Sequence, residues 1–180
     1  MFLALLIVCT FFTIQVPPAT KFTLQLLAVF LIANFLPLVD GLIIVTLYIA
    51  MGLIGIPVFA GFAGGPAYVM APTFGFVYGF YFVILINHLF NDLLLRMIKI
   101  DIVKTVIGSV VSLIVLYIVG FIHGYLVLVN LKGMSDLTIA AGMGIFITPY
   151  IPFDIAKIVI ACIVTSRYMN LLVPYKRRHF

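Results

Sequence analysis

The stretch Tyr150-Ile-Pro-Phe-Asp-Ile-Ala-Lys-Ile-Val-Ile-Ala-Cys-Ile-Val164 places one acid and one base in a run that is otherwise almost wholly apolar. The whole chain has only five acidic residues. An ionisable group in an apolar segment is costly unless it pairs or meets a ligand, and inside a membrane it is a functional-site hypothesis by default. Residues three apart share a helix face. We therefore predict that Asp154 and Lys157 point into one space, which suits a small polar ligand with a carboxylate and hydrogen-bond donors.

The composition of the chain is that of a polytopic membrane protein. Hydrophobic residues make up 66% of its 180 residues, charged residues make up 8%, and the mean hydropathy is +1.37. A soluble domain is about half apolar and about a quarter charged. Because a span needs about 20 apolar residues, this length allows about five or six spans with short loops. We expect one all-α domain over residues 1–180, embedded in the lipid bilayer.

Basic residues gather at two places in the chain. They are Arg96, Lys99 and Lys104 in one connection, and Lys176, Arg177 and Arg178 near the C-terminus. The positive-inside rule assigns both clusters to the cytoplasm. Six spans with both termini in the cytoplasm satisfy this assignment, whereas five would put the termini on opposite sides. Charges at helix ends fit topology better than a nucleic-acid-binding stripe.

Apolar runs and helix breakers predict the positions of the six spans. They cover residues 2–16, 22–36, 40–56, 73–96, 102–128 and 153–173, with a short helical segment at 137–148. Pro17-Pro18 ends the first predicted helix and Pro37 follows the second. Residues 1–14 lack a basic n-region, so we expect a retained span rather than a cleaved signal peptide.

The loop at residues 58–72 is rich in glycine and aromatic residues. Gly64 and Gly65 permit positive φ and close backbone approach, while Phe59, Phe62 and Tyr68 offer flat apolar surface. Non-helical backbone at membrane depth is tolerated only where it is buried in protein or lines a cavity. The loop is either a re-entrant lid over a ligand or an ordinary extracellular loop with interfacial aromatics, and composition does not separate the two.

Polar groups near the starts of two predicted helices are further candidates. Thr23 and Gln25 need hydrogen-bond partners in their apolar context, either in a cap or interhelical bond or in a ligand. Gly75 and Gly79 form a small-xxx-small face, which favours close helix packing. Tyr78, between them, is able to reach a cavity.

The sequence contains no catalytic signature that we recognise. A phosphate-binding Gly-rich loop with Lys-Ser/Thr, His-Glu-x-x-His and Gly-x-Ser-x-Gly are all missing. The two cysteines lie in apolar runs and are interpreted as small buried hydrophobes, so we expect no metal and no cofactor. The alternative is a small membrane enzyme that uses Asp154 and Asp92, but these are expected near opposite faces of the membrane. We therefore expect a protein that is not an enzyme.

Four segments, taken in order, resemble one family. They are Phe22-Thr-Leu-Gln25, Leu53-Ile-Gly-Ile-Pro-Val-Phe-Ala-Gly61 with Gly64-Gly65, Pro72-Thr-Phe-Gly-Phe-Val-Tyr-Gly-Phe80, and Pro149-Tyr-Ile-Pro-Phe-Asp-Ile-Ala-Lys157. Over about residues 20–165 the chain looks like BioY, the biotin-binding substrate-capture (S) component of energy-coupling factor (ECF) transporters.

The resemblance implies a six-helix S-component fold in the cell membrane, with both termini in the cytoplasm and a biotin site near the outer face. A transmembrane coupling (T) component and two cytoplasmic ATPases would supply the energy. An S component for another vitamin stays open. The family's binding positions carry over to Asp154, Lys157, Thr23, Gln25, Gly64 and Gly65.

Other positions depart from the family's pattern or extend it. Phe59, Phe62 and Tyr68 would cover the apolar ring and chain of biotin. S components usually dock the T component through an Ala-xxx-Ala face on the first helix. The best match in this chain runs from Ala4 to Val8, where the second small residue is replaced by a larger one.

Overall fold

The fold is a bundle of helices with one small β-hairpin. The computed structural model describes residues 1–16, 20–91 and 101–176. Within these ranges seven α-helices occur: α1 (Phe2–Phe11), α2 (Gln25–Phe35), α3 (Leu38–Leu53), α4 (Phe74–Leu89), α5 (Asp101–Leu126), α6 (Ile139–Phe146) and α7 (Ile151–Lys176). The other elements are strands β1 (Thr13–Val16) and β2 (Thr20–Thr23), a 3₁₀ turn (Pro66–Met70) and a π-helical turn (Val127–Leu131).

The hairpin corrects the predicted first and second helices. The predictions ran α1 on to residue 16 and began α2 at residue 22, but residues 13–16 pair antiparallel with residues 20–23. Threonine, isoleucine and valine are frequent in these strands and favour extended backbone. Val16 also precedes Pro17, and the proline ring disfavours the α conformation in the residue before it. Residues 17–19 lie outside the described residues.

The short helical segment predicted at residues 137–148 is confirmed as α6. Its N-cap is Thr138, whose Oγ1 accepts a hydrogen bond from the backbone N–H of Ala141 at 3.2 Å, as a threonine cap commonly does. The chain then bends by 44° into the next helix. This bend brings the first turns of α7 beside the hairpin, where Phe22 packs on Phe153 with ring centroids 4.4 Å apart.

Helices α4 and α5 are in close contact through glycines, which confirms the packing interpretation of Gly75 and Gly79. A Cβ added at Gly75 would lie 2.6 Å from the His123 Cβ, and one at Gly79 would lie 2.6 Å from the Leu116 Cδ1. From the other side, a Cβ at Gly120 would meet the Phe76 ring at 2.4 Å. Such approaches need small residues at the interface.

Exposed apolar side chains form stripes along the outside of the bundle. On α5 they recur every three to four residues, as expected for one face of a helix; they are Val103, Val106, Val110, Ile114, Ile118 and Ile122. On α7 the same pattern is formed by Ile155, Val159 and Ile163. A soluble monomer rarely exposes continuous apolar surface of this kind, so these stripes suit a lipid environment.

By length and composition, the described residues contain one helix that is able to cross a membrane, Ile102–Leu131, with a mean hydropathy of 2.5. A second span is formed if Ile139–Phe146 and Ile151–Tyr168 are taken as one bent unit. Helices α1 to α4 are apolar but shorter. The six spans and the cytoplasmic termini therefore stay predictions, and the basic positions 96, 99, 177 and 178 lie outside the described residues.

Candidate functional site

A cavity of about 400 Å³ opens between the hairpin, the loop before α4, and helices α2, α4, α5, α6 and α7. This volume falls within the range of small-molecule sites, about 300–1,000 Å³. The lining residues are Thr23, Gln25, Leu26, Ala60, Gly61, Ala63, Tyr68, Ala71, Thr73, Phe76, Val77, Phe80, Leu116, Tyr117, Phe146, Tyr150, Asp154 and Lys157.

The charged wall of the cavity is built from the first two turns of α7. Asp154 and Lys157 are 4% and 7% exposed, and the Lys157 Nζ donates to Asp154 Oδ1 at 2.7 Å. The Tyr117 hydroxyl of α5 donates to the other carboxylate oxygen, Oδ2, at 2.7 Å. Removing one member of such a buried pair is strongly destabilising, because the remaining charge has no counter-ion. The predicted shared face of Asp154 and Lys157 is therefore present, with an aromatic hydroxyl added.

A second polar wall comes from the hairpin and the start of α2. Thr23 ends β2, and Gln25 is the first residue of α2. The Gln25 Nε2 donates to the Tyr48 hydroxyl at 2.7 Å, and Tyr48 donates in turn to the backbone carbonyl of Val58 at 3.0 Å. Tyr48 is fully buried. Gln25 thus connects the cavity to α3 and to the loop that follows it.

The rest of the lining is apolar and largely aromatic. Phe76 and Phe80 come from α4, Phe146 comes from α6, and Tyr68 comes from the 3₁₀ turn. The Tyr68 ring stacks on Phe59 with centroids 4.5 Å apart, so a buried aromatic ring supports it from behind. The cavity therefore offers charged and amide groups from α2 and α7 and flat apolar surface from α4, α6 and the loop.

Ten residues were predicted to bind a ligand. Five of them line the cavity, and they are Thr23, Gln25, Tyr68, Asp154 and Lys157. The other five do not line it; they are Phe59, Phe62, Gly64, Gly65 and Tyr78.

Both remaining phenylalanines of the loop lie outside the lining. Phe59 is fully buried behind Tyr68, and its ring fills the space beside Gly52, where an added Cβ would lie 2.0 Å from it. Phe62 is 65% exposed, has a positive φ of 58°, and stacks on Phe11 with centroids 4.6 Å apart. One ring thus belongs to the core and the other to the outer surface.

The two glycines shape the loop, and Tyr78 belongs to a helix interface. A Cβ at Gly64 would lie 2.6 Å from the backbone oxygen of Ile56. Gly65 has a φ of +100°, a conformation that favours glycine, and its N–H donates to the Gly52 carbonyl at 2.7 Å. Tyr78 meets His123 edge-on, with centroids 5.5 Å apart, between α4 and α5.

Several lining residues were not singled out from the sequence. Tyr117 has the clearest signal, since a tyrosine in the middle of a long apolar helix needs a partner for its hydroxyl. Tyr150 stands one turn before Asp154 in the stretch already singled out. Phe76, Phe80 and Phe146 carry no such signal, because aromatic residues are common throughout this chain.

The fold and its exposed apolar stripes are those of an α-helical membrane protein, with a partly open cavity of small-molecule size. A profile of the BioY family matches residues 1–173. The chain belongs to the BioY family, and the resemblance read from its sequence is confirmed at that level.

Curated relatives and a solved structure agree with this assignment. "Biotin transporter BioY" of Thermotoga maritima is 40% identical over 79 residues, 44% of this chain and 46% of that protein. "Probable biotin transporter BioY" of Lysinibacillus sphaericus is 44% identical over 80 residues, 44% of this chain and 40% of that protein. The matched part thus spans less than half the length of these relatives.

The solved structure is described as the S-component for biotin from an ECF-type ABC transporter. It superposes with a TM-score of 0.77, covering 94% of this chain and 87% of its own, at 22% sequence identity. At that identity the likeness shows a shared fold.

Two further predictions concern docking and metals. Ala4 and Val8 both lie on the exposed side of α1, with Val8 49% exposed, and their docking role stays a prediction. Across residues 1–16, 20–91 and 101–176, no group of three or more His, Cys or Asp side chains is placed to hold a metal ion.

Proposed function

We propose that the protein captures biotin within the cell membrane as the S component of an ECF-type importer. The observation that carries this proposal is the buried Asp154–Lys157 pair on the wall of a 400 Å³ cavity, in a chain of the BioY family. One relative is named a biotin transporter, another is named a probable biotin transporter, and a structure with the same fold is described as a biotin S-component.

The chemistry of biotin matches the groups around the cavity. Its ureido ring carries two N–H donors and one carbonyl acceptor. Lys157 and Tyr117 each engage one oxygen of Asp154, and each carboxylate oxygen keeps further lone-pair capacity, so Asp154 is able to accept from a ureido N–H. Lys157 has further N–H donors for the ureido carbonyl or the valerate carboxylate. In a water-poor site such charge-assisted bonds are strong.

The apolar part of biotin fits the aromatic part of the lining. The sulfur-containing ring and the valerate chain carry no strong hydrogen-bonding group between the ureido ring and the carboxylate. Phe76, Phe80, Phe146 and Tyr68 present apolar surface to the same cavity. Burying about 100 Å² of apolar ligand surface there would contribute about 2.5 kcal/mol.

The proposal also includes the topology and partners implied by the family. The chain is multi-pass, with six spans and both termini in the cytoplasm. A T component and two ATPases supply the energy, and the exposed face of α1 with Ala4 and Val8 contributes to docking. The protein itself performs no catalysis and uses no cofactor.

Calorimetric titration of the detergent-purified protein with biotin tests the proposal. We expect tight binding by the wild type and a loss of at least ~100-fold in Asp154→Asn and in Lys157→Ala, because each leaves a buried partner unpaired. The matched controls are Asp136→Asn and Lys132→Ala, which make the same changes at exposed positions outside the cavity lining.

The outcomes of the titration test the proposed function and the proposed site residues separately. A folded wild type that does not bind biotin contradicts the function, and a competition panel of other vitamins then identifies a different S-component ligand. Tight binding that survives both substitutions keeps the function but removes Asp154 and Lys157 from the site.

A further inference from the structure

The orientation of the Gln25 side chain depends on a backbone carbonyl group, which accepts hydrogen bonds and is unable to donate them. The backbone carbonyl of Val58 lies 3.0 Å from the Tyr48 hydroxyl, and a carbonyl oxygen has no proton to donate. The hydrogen bond between these two groups therefore uses the single hydroxyl hydrogen of Tyr48. This leaves the Tyr48 oxygen as an acceptor, and the Gln25 Nε2 donates to it at 2.7 Å.

A neighbouring hydroxyl does not change the role of the Tyr48 oxygen as an acceptor toward Gln25. Thr10 Oγ1 lies 3.3 Å from the Tyr48 hydroxyl and donates its own hydrogen to the Leu6 carbonyl at 2.7 Å, so it is able only to accept from Tyr48. Whether Val58 or Thr10 receives the Tyr48 hydrogen, the Tyr48 oxygen still accepts from Gln25. The Tyr48 ring is fully buried and packs edge-on against Phe59, with centroids 5.5 Å apart. The position of the Tyr48 hydroxyl and its role toward Gln25 are therefore fixed by α1, α3 and the loop after α3.

The orientation of Tyr48 determines which atom of Gln25 faces a ligand. With Nε2 held by Tyr48, the amide oxygen Oε1 is directed away from Tyr48, and within the described part of the chain it accepts no hydrogen bond. Gln25 is 7% exposed and lines the cavity. We propose that Tyr48 is a positioning residue, which holds Gln25 as an acceptor so that this wall selects ligands that donate an N–H.

The inference rests on the proposed function for the identity of the ligand. Asp154 already provides an acceptor on α7, and Gln25 would provide a second on α2, both in the lining of one cavity. Two acceptors on different walls suit a planar group with two N–H donors, such as a cyclic urea. A ligand that offered an acceptor to Gln25 would meet oxygen against oxygen and would be rejected.

The anchoring of Gln25 is tested without any ligand. In the NMR spectrum of the ¹⁵N-labelled protein in micelles, the Gln25 side-chain amide is identified by its loss in Gln25→Met. We expect it to be protected from hydrogen exchange in the wild type, with protection falling at least ~tenfold in Tyr48→Phe because its acceptor is removed. Equal exchange in the wild type and Tyr48→Phe overturns the anchoring.

Tyr81→Phe is the matched control for Tyr48→Phe. Tyr81 also donates a side-chain hydrogen bond between two helices, to Thr46 Oγ1 at 3.0 Å, and it does not line the cavity. Tyr81→Phe makes the same substitution at a more exposed interhelical hydrogen bond. Gln25 protection is expected to be unchanged in this variant.

The selectivity is tested with two biotin analogues in which one or the other ureido N–H is replaced by oxygen, giving isosteric cyclic carbamates. We expect the wild type to prefer biotin over each carbamate by about 10- to 100-fold, because a buried acceptor is left unpaired. For one of the two carbamates, Tyr48→Phe should reduce this preference about tenfold, since the freed Gln25 amide is able to rotate and present its Nε2. Tyr81→Phe should leave both preferences unchanged.

The outcomes distinguish this inference from the proposed function. Equal losses of affinity for biotin and both carbamates in Tyr48→Phe overturn the selectivity and leave Tyr48 with a packing role. If Tyr48→Phe does not fold, Gln25→Met supplies the test, because it removes the acceptor and should abolish the same preference; an intact preference in Gln25→Met overturns the inference. A wild type without affinity for biotin contradicts the proposed function, while the exchange measurement still decides whether Tyr48 anchors Gln25.

Discussion

Two buried polar clusters lie in this bundle, and they differ in how much of their hydrogen-bonding capacity is used within the protein. The cavity cluster, Gln25, Tyr117, Asp154 and Lys157, lines an open space and keeps capacity for further hydrogen bonds. The asparagine cluster, Asn34, Asn87, Asn91 and Ser109, is bonded mainly to itself and does not line that cavity. The difference favours the cavity cluster over the asparagine cluster as the proposed ligand site, because it has unused hydrogen-bonding capacity beside a space.

The geometry of the asparagine cluster shows how closely it is connected. Asn87 Nδ2 lies 3.1 Å from Asn34 Oδ1 and 3.3 Å from Ser109 Oγ, while Asn91 Nδ2 donates to Asn87 Oδ1 at 2.6 Å. These bonds join α2, α4 and α5. One atom is an exception: among the described residues, the Asn34 Nδ2 has no partner. The cluster therefore holds helices together, with little left to offer a ligand.

The same helices carry both clusters at different levels. Gln25 and Asn34 are nine residues apart on α2, which is about 14 Å along a helix. Tyr117 and Ser109 are eight residues apart on α5, about 12 Å. Substitutions in one cluster are therefore far enough from the other for their effects to be measured separately.

The largest effect is expected from unpairing the charges of the cavity cluster. Asp154→Asn leaves a buried ammonium without its counter-ion, and Lys157→Gln leaves a buried carboxylate, so each should lower the free energy of unfolding by about 3–5 kcal/mol. The double variant Asp154→Asn/Lys157→Gln removes both charges and should recover most of that loss while biotin binding stays absent. Denaturant unfolding in detergent and calorimetry measure the two quantities.

The comparison between the two clusters fails if the loss of unfolding free energy in the double variant equals the sum of the losses in the single variants. Additive losses would mean that the two charges do not depend on each other, despite the 2.7 Å contact between them. Recovery of both stability and biotin binding would show that the pair has a structural role and that the ligand site lies elsewhere in the lining.

The next largest effect is expected from Asn87→Leu in the asparagine cluster. This nearly isosteric change leaves the side-chain partners on Asn34, Ser109 and Asn91 unpaired, and it should lower the free energy of unfolding by about 1–3 kcal/mol. The affinity of the folded protein for biotin should stay within about twofold of the wild type, because sites this far apart couple weakly. Thermal unfolding with and without biotin separates the two effects.

A loss of biotin affinity in Asn87→Leu without a loss of stability would assign ligand binding, rather than a structural role, to the asparagine cluster. The matched control is Thr46→Val, which removes one hydroxyl from an exposed interhelical hydrogen bond with Tyr81. Its effect on stability should be smaller, because its groups are accessible to solvent or lipid headgroups.

The sequence predicted the parts of the site that depend on local spacing. Asp154 and Lys157 share a face because they are three residues apart on a helix, and their surroundings are apolar over the whole stretch. Membership of the BioY family was likewise readable from four ordered segments. Both inferences need no knowledge of which helices are neighbours.

The rest of the site depends on tertiary contacts and on backbone direction, which local patterns do not specify. Tyr117 reaches Asp154 from 37 positions away in the chain. Residues 13–16 and 22–23 were predicted as helix because apolar β-branched residues suit either a membrane helix or a strand, and only the pairing of Thr13 with Thr23 decides between them. Phe59 and Phe62 have the same chemistry, but the positive φ of Phe62 turns its backbone differently.

A moderate effect is expected from Tyr68→Leu in the apolar lining. The substitution keeps an apolar side chain but removes the ring that stacks on Phe59, along with part of the flat surface facing the cavity. We expect biotin affinity to fall about tenfold, corresponding to about 1.4 kcal/mol. An unchanged affinity in calorimetry would remove Tyr68 from the binding surface.

The smallest effect is expected from Phe62→Ala, the matched change in the same loop. Phe62 is 65% exposed, lies outside the cavity lining, and contacts Phe11 of α1. Its removal should leave biotin affinity within about twofold, because an exposed ring away from the ligand contributes little to binding. An affinity loss comparable to that of Tyr68→Leu would show that the loop rearranges on binding so that Phe62 covers the ligand. The cavity would then be closed by a lid, and the distinction between a lining ring and a surface ring would apply only to the ligand-free protein.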